Sequence, residues 1–303
     1  MKFGILGDLH SRISNPVNRK DDYERAFWTK MEYTFDTFTD EDVDFVLQPG
    51  DFFDNYGRDP FDLVYDMMMF LKKYNIPVNT IYGQHDLRFH NLEYLKTPLN
   101  MLHHSDCVNI IKHQVIYPSD NTPIIVSGAS FGQDIPAVTE LRDSINILLI
   151  HTMVIKKKKL WTDQTDFIKS NTLLNNTGYD IIVSGDNHQG FMIKNKSGQL
   201  LFNCGSLMRT NIDQVTHKPR FYIYDTQTKN YTQYDIPIDA PEDVFRLDKK
   251  MEKDAHDIEL DDFTTALNVK FKNQFSFKNN LTTIIKKNDV HARSKAYIDD
   301  AVQ

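Results

Sequence analysis

A chain of 303 residues, 40% hydrophobic and 25% charged, is long enough to bury one large core with a small appendage, and its composition is that of an ordinary globular protein. A net charge of −7 excludes coating of nucleic acid through bulk charge, though not a local basic groove. No run of about 20 apolar residues reads as a membrane span, no secretory pattern opens the chain, and Cys107 and Cys204 are too few for a disulfide framework, so a cytoplasmic protein with reduced thiols is expected.

In chain order, strand-like runs recur, each closed by Gly, Asp, His or a turn: KFGILGD, VDFVLQPGD, IPVNTIYGQHD, TPIIVSG, INILLIH, YDIIVSGD, QLLFNCGS and RFYIYD. Between the first two, Tyr23, Phe27, Met31 and Phe35 recur every fourth residue. Between the second and third, Phe61, Val64, Met68 and Leu71 form a similar stripe. Both stripes predict core-facing helices. Strand–helix–strand alternation as far as Tyr82 predicts βαβ units with parallel pairing. Beyond Ser105 the strands lie closer together, with polar turns such as PSDNTP, KNKSGQ and DTQTKN. That spacing predicts antiparallel hairpins, so the sheet system is expected to be mixed and double. Composition shifts near Asp239 to the polar, charged IDAPEDVFRLDKKMEKDAHD. Residues 1–238 are therefore read as the main domain and 239–303 as a small C-terminal cap or docking region, with helices near Lys278–Lys286 and Val290–Val302.

Each main strand delivers chemistry at its end. GDLH places Asp8 and His10 after the first, GDFFD places Asp51 and Asp54 after the second, and GQHD places Gln84, His85 and Asp86 after the third. INILLIH ends in His151, and DIIVSGDNHQG supplies Asp186 and His188. Ligands of α/β sheets bind in the crevice outside the carboxyl ends of the strands, so these groups are expected to converge on one rim. Carboxylate, imidazole and amide donors without cysteine suit Mn²⁺, Fe²⁺, Zn²⁺ or Mg²⁺, and the mixture favours Mn²⁺. So many donors exceed the needs of one ion and imply two, about 3.5–4 Å apart with a bridging carboxylate.

The series GDLH, GDFFD, GQHD, His151 and GDNH resembles the calcineurin-like metallophosphoesterase pattern D-x-H, G-D-x-x-D, G-N-H-D, H and G-H-x-H. FNCGSLMR followed by KPRFYIYD is similar to the N-P-G-S segment and closing strands of the Mre11/SbcD nuclease branch. The resemblance runs from about Met1 to Asp235. It implies an α/β fold, a two-sheet β-sandwich flanked by helices, with a small C-terminal α/β cap. It implies that Asp8, His10, Asp51 and His188 hold one metal, and that Asp51 bridges to a second held by Gln84, His151 and Asp186. His85 would lie beside the scissile phosphate as charge stabiliser or general acid, oriented by Asp86. The activity implied is Mn²⁺-dependent hydrolysis of DNA phosphodiesters, Mg²⁺ being an alternative, by a hydroxide held between the ions, in end processing, recombination or repair. The partners implied are DNA, a Rad50/SbcC-like ATPase held through C-terminal segments, and a second copy through the early helices. The compact length and altered ligands fit a bacteriophage or similarly divergent member working in bacterial cytoplasm.

Two positions depart from the pattern: Asp186 stands where the family has His, and Gln84 where it has Asn. As a ligand the extra carboxylate should make the second ion harder and weaken its pull on bound water; the other reading of Asp186 is a turn carboxylate that touches no metal. Gln84 places its amide oxygen one methylene further out. Asp54 is read as supporting a ligand or its loop. Lys156 and Lys157, within the run Lys156–Lys159 beside Trp161, read either as a solvated loop or as a strip tracking a phosphate backbone. Arg209 reads either as a phosphate ligand or as a surface ion pair. His217 and the other histidines outside the motifs read as surface or core residues. Two further functional readings stand beside the nuclease: hydrolysis of a small phosphodiester or phosphomonoester, and a catalytically weak subunit that binds DNA or a partner.

Overall fold

The computed structural model describes residues 1–57, 61–117, 122–139, 141–156 and 165–247. The chain divides into two compact units, Met1–Arg246 and Leu247–Gln303, and the first is described below. Lys157, Trp161, the turn PSDNTP in most of its length and the helices expected at Lys278–Lys286 and Val290–Val302 lie outside the described residues.

Two six-stranded sheets carry the architecture. In the first, β1 (Lys2–Ile5), β2 (Phe45–Gln48), β3 (Val78–Thr80) and β4 (Asn109–Ile110) run parallel. On the other side of β1, β13 (Arg220–Asp225) and β14 (Asn230–Asp235) add antiparallel. The second sheet has β6 (Ile124–Ala129), β7 (Ile145–His151), β10 (Ile181–Gly185) and β12 (Leu200–Asn203) in parallel at its centre. Its edges, β5 (Gln114–Tyr117) and β11 (Phe191–Lys194), are antiparallel. The two-residue strands β8 (Val154–Ile155) and β9 (Ile168–Lys169) form a separate ribbon. The expected hairpins thus occupy the margins. The centre of the second sheet is parallel because the connections β6–β7 and β7–β10 are long enough for crossovers, which a tight turn is not.

Strand residues alternate between two cores. Phe45 and Leu47 of β2 join Phe3 and Ile5 of β1 against Ile147, Leu149, Ile181 and Val183 of the opposite sheet. Val46 points the other way, into a core shared with α1 (Tyr23–Asp40), α2 (Phe61–Tyr74) and α3 (Pro98–His104). Each such side chain removed from water contributes about 1.5–3 kcal/mol. Helix α1 begins at Asp22, whose carboxylate accepts from Arg25 N, and buries Tyr23, Phe27, Met31 and Phe35 as its spacing predicts. Helix α4 (Ser170–Thr177) covers the far face of the second sheet through Leu173 and Leu174. The first unit also takes in Asp239–Arg246: Lys20 N donates to Val244 O (2.9 Å) and Arg246 N to Asn18 O (3.0 Å). Among the described residues no helix is long and apolar enough to cross a membrane.

Candidate metal centre

The loops leaving β1, β2, β3, β7 and β10 meet on one rim, because both sheets turn the carboxyl ends of these parallel strands towards it. Gln48, the buried last residue of β2, ties three loops together. Its amide nitrogen donates to Gly7 O (3.2 Å) and Gly50 O (2.5 Å), and its oxygen accepts from Gly50 N (3.1 Å) and Thr80 Oγ1 (2.5 Å). His10, Asp51 and Asp186 all have left-handed backbone, with φ of 45°, 51° and 72°, a region costly for most side chains and a recurrent sign of functional strain. The adjoining glycines admit the ligands sterically. A Cβ on Gly83 would stand 2.1 Å from Asp51 Oδ1, and one on Gly185 would stand 2.7 Å from both Asp8 Oδ1 and His151 Nδ1.

On one side of the site His10 Nε2 lies 3.0 Å from His188 Nε2 and 3.6 Å from Asp51 Oδ2, and His188 Nε2 lies 3.5 Å from Asp8 Oδ2. On the other, His151 Nε2 lies 3.4 Å from Asp51 Oδ2 and 2.6 Å from Gln84 Oε1, while Gln84 Nε2 donates to Asp186 Oδ1 at 3.0 Å. Asp51 therefore stands between the two expected ligand sets, and the structure brings all seven expected ligands together. Among the described residues two groups of His and carboxylate ligand atoms lie within 4.8 Å of one another: Asp8, His10 and His188, and His10, Asp51 and His85. The second group adds His85, expected beside the substrate, to the residues within reach of an ion.

These groups fit divalent cations. Asp8 Oδ1 and Asp51 Oδ2 are buried without a hydrogen-bond partner, a costly arrangement for a carboxylate unless a cation faces it. His151 Nδ1 lies 2.6 Å from Pro49 O. Donation to that carbonyl leaves Nε2 of a neutral ring turned, lone pair first, on the Asp51 and Gln84 oxygens. Oxygen and imidazole donors without thiolate suit hard or borderline metals.

Residues 1–190 match the model of the family described as calcineurin-like phosphoesterase, Metallophos. The chain belongs to that family. No curated protein matches it. Among solved structures, wild-type Vps29 from Entamoeba histolytica complexed with zinc is similar to it, with 13% identity, a TM-score of 0.38, and coverage of 78% of this chain and 91% of that one.

The electrostatics of the rim suit it to cations. Burial lowers His10 to about 3, against the pull of Asp51, and burial also lowers His188, so both rings are neutral donors. Burial raises Asp8 well above the carboxylate range; His151 opposes that, while Asp51 and Asp186 add to it. For Asp51 burial works upward too, but the charge of His151, with that of His10, holds it below the usual range. Burial would lower His151, yet Asp51 and the other carboxylates raise it to about 10.

Three expectations are corrected. Asp86 does not orient His85. Its buried carboxylate accepts from Phe52 N, Phe53 N and Gly83 N at 3.0–3.3 Å, because the chain folds back over it. The His85 partner is instead the Asp54 carbonyl, 2.8 Å from Nδ1. Arg209 does not face a phosphate. It is 3% exposed, stacks on Phe245, and donates to Val215 O (3.2 Å) and Asp239 O (2.8 Å). Nor is it a surface ion pair. Lys156 is exposed at the end of β8, and Lys157 lies outside the described residues. Asp54 lies beside the site: its carboxylate is 3.8 Å from His10 Nδ1, beyond hydrogen-bond distance, and 3.0 Å from Arg12 Nη1.

The sequence reading missed Gln48, and it missed the wall formed by Gln214, His217, Lys218 and Arg220 beside His188. His217, taken for a surface or core residue, lies 2.7 Å through Nε2 from Ser206 O, and burial lowers it to about 4. The basic run HKPR was the available signal.

Proposed function

We propose that this phosphoesterase is a Mn²⁺-dependent DNA nuclease of the Mre11/SbcD kind, with Mg²⁺ as an alternative. One observation carries the hydrolytic reading: buried Asp51 Oδ2, without a hydrogen-bond partner, lies 3.6 Å from His10 Nε2 and 3.4 Å from His151 Nε2. In this reading Asp8, His10, Asp51 and His188 hold one ion, and Asp51, Gln84, His151 and Asp186 the other. Bound ions supply Lewis acidity to the phosphoryl group and acidify water. The protein supplies orientation and a proton. His85, held through Nδ1 by the Asp54 carbonyl, presents Nε2 to the substrate, and in its protonated form passes that proton to the departing alkoxide. Gln48 and Asp86 keep the three ligand loops in register.

The choice of DNA rests on the resemblance of FNCGSLMR and KPRFYIYD to the nuclease branch. The first segment lies against the ligand loop: Ser206 bridges to Asp8, and Leu207 N donates to Asp8 O at 2.8 Å. A Rad50/SbcC-like ATPase held by residues 239–303 and a homodimer complete the reading. The core face of α2 is Leu63, Val64, Met67, Phe70 and Leu71, so Phe61, expected in the core, is exposed with Tyr65 and Met69, and this stripe supports the dimer. The experiment is hydrolysis of end-labelled single- and double-stranded DNA with Mn²⁺, Mg²⁺ or chelator, with Asp51→Ala and bis-p-nitrophenyl phosphate alongside. Mn²⁺-dependent cleavage lost in Asp51→Ala is the expected result. Hydrolysis of the small diester alone would replace DNA with a small phosphodiester, and inertness towards every substrate would leave a binding subunit.

A further inference from the structure

A cleft of about 610 Å³ runs from Gln84, Asp186 and His188 at the metal centre to His217, Lys218 and Arg220 on its far wall. Its size is that of pockets that enclose a substantial ligand and exceeds what one phosphoryl group fills. The lining carries Asp186 at the metal centre, Asp213 beside Gln214, and the cations Lys218 and Arg220. Among the described residues neither Lys218 nor Arg220 makes an ion pair, although the chain carries 42 acidic residues against 35 Lys and Arg.

The wall is held in place. Arg220 opens β13, opposite Asp235 in the β14 register. Its Nε donates to Lys218 O at 3.3 Å, which fixes the plane of the guanidinium, a fork suited to a bidentate contact. His217 bonds to Ser206 O and so fastens this turn to the segment that bridges to Asp8. Gly190, the last residue of DIIVSGDNHQG, leaves room for the guanidinium: a Cβ there would lie 3.2 Å from Arg220 Nε and 2.6 Å from Cys204 O.

We propose that Lys218 and Arg220 form a subsite for a second phosphate of a polynucleotide strand, next to the phosphate at the metal centre, with His217 positioning their turn. The subsite rests on the nuclease reading and deepens it: a strand offers this second phosphate, and a small diester does not.

The test is binding of a labelled single-stranded oligonucleotide to the full chain in chelator, across a salt series. Wild type, Lys218→Gln/Arg220→Gln and the charge-matched Lys194→Gln/Lys229→Gln are compared. The first double variant is expected to bind about tenfold more weakly at low salt. Its slope of log K against log salt should be shallower by about 0.7 for each lost contact. The control pair should keep wild-type affinity. In Mn²⁺, kcat/KM on the oligonucleotide should fall at least about fivefold further than on bis-p-nitrophenyl phosphate. Wild-type affinity and slope in Lys218→Gln/Arg220→Gln, or equal losses in the two pairs, would overturn the subsite. Should the double variant fail to fold, Lys218→Gln alone, at an exposed position, is read by the same slope. Wild-type protein that hydrolyses only the small diester would sink the nuclease reading separately, and the binding series in chelator would still decide the subsite.

Discussion

Removing the Asp86 carboxylate separates a residue that builds the site from one that tunes its chemistry. Oδ1 accepts from Phe52 N at 3.1 Å and Phe53 N at 3.2 Å, and Oδ2 from Gly83 N at 3.0 Å. Asp86→Ala leaves three buried donors bare, each costing about 1–3 kcal/mol. A water entering the space recovers part of that, for a net loss of about 2–4 kcal/mol. In a unit of this size the melting temperature should fall by roughly 4–16 °C. Asp86→Asn keeps one acceptor but turns an amide N–H against a backbone N–H, and should lose about half as much. Because the same loops carry Asp51 and Gln84, Mn²⁺ affinity should fall with stability. The assay is thermal melting in chelator and in Mn²⁺, with His85→Ala as the comparison that loses activity without losing the fold. Asp86→Ala melting with wild type, its defect confined to a displaced pH–rate profile, would show that Asp86 acts on His85 after all.

Mn²⁺ at about a hundred times its Kd should stabilise the protein by about 2.7 kcal/mol, or roughly 5–11 °C, reversibly with chelator. An equal shift in Asp51→Asn would place the ions elsewhere. His85→Ala should lower kcat by about 10²–10⁴-fold while elemental analysis still finds two ions per chain; one ion would make His85 a ligand. Asp186→His removes a negative charge beside the second ion and strengthens its pull on water, so the acidic limb of the pH–rate profile should move to lower pH, and an unmoved limb contradicts this. Burial, with Arg209 and Arg19 adding to it, lowers Lys30 to about 8 from 10.5. The native state then binds fewer protons than the unfolded chain in that window, so stability should rise as pH climbs from 8 to 10.5 and be lost again as pH falls through 8. Urea midpoints at pH 7 and pH 10 should show that rise in wild type and a flatter response in Lys30→Met.

The ligand order was legible because each donor but His151, which follows Ile150 directly, comes after an apolar run closed by Gly, a pattern that survives without knowledge of the tertiary fold. Supports were illegible for a matching reason. Gln48 reads as an ordinary polar strand end until β1 and β3 flank it. Asp86 adjoins His85 in sequence, yet its partners are set by the path of two loops. Arg209 looks the same whether its donors go to a phosphate or to the carbonyls of Val215 and Asp239. The parallel centre of the second sheet was signalled only by connection length, which polar turn residues at the sheet margins obscured.

The two departures from the expected pattern, Gln84 and Asp186, meet in one contact. Position 186 has φ of 72°, a conformation that Asp, Asn and His tolerate better than other side chains. Replacing His by Asp therefore keeps the loop, and Asp186 N still donates to Asp8 Oδ2 at 2.9 Å. The shorter acid alone would stand back from the neighbouring amide. Gln84, one methylene longer than Asn, closes that gap: its Nε2 lies 3.0 Å from Asp186 Oδ1 while its Oε1 still faces His151 Nε2 at 2.6 Å. A longer amide opposite a shorter acid keeps the contact between the β3 and β10 loops. It also leaves the Gln84 oxygen turned towards the side of the centre where the second ion is expected.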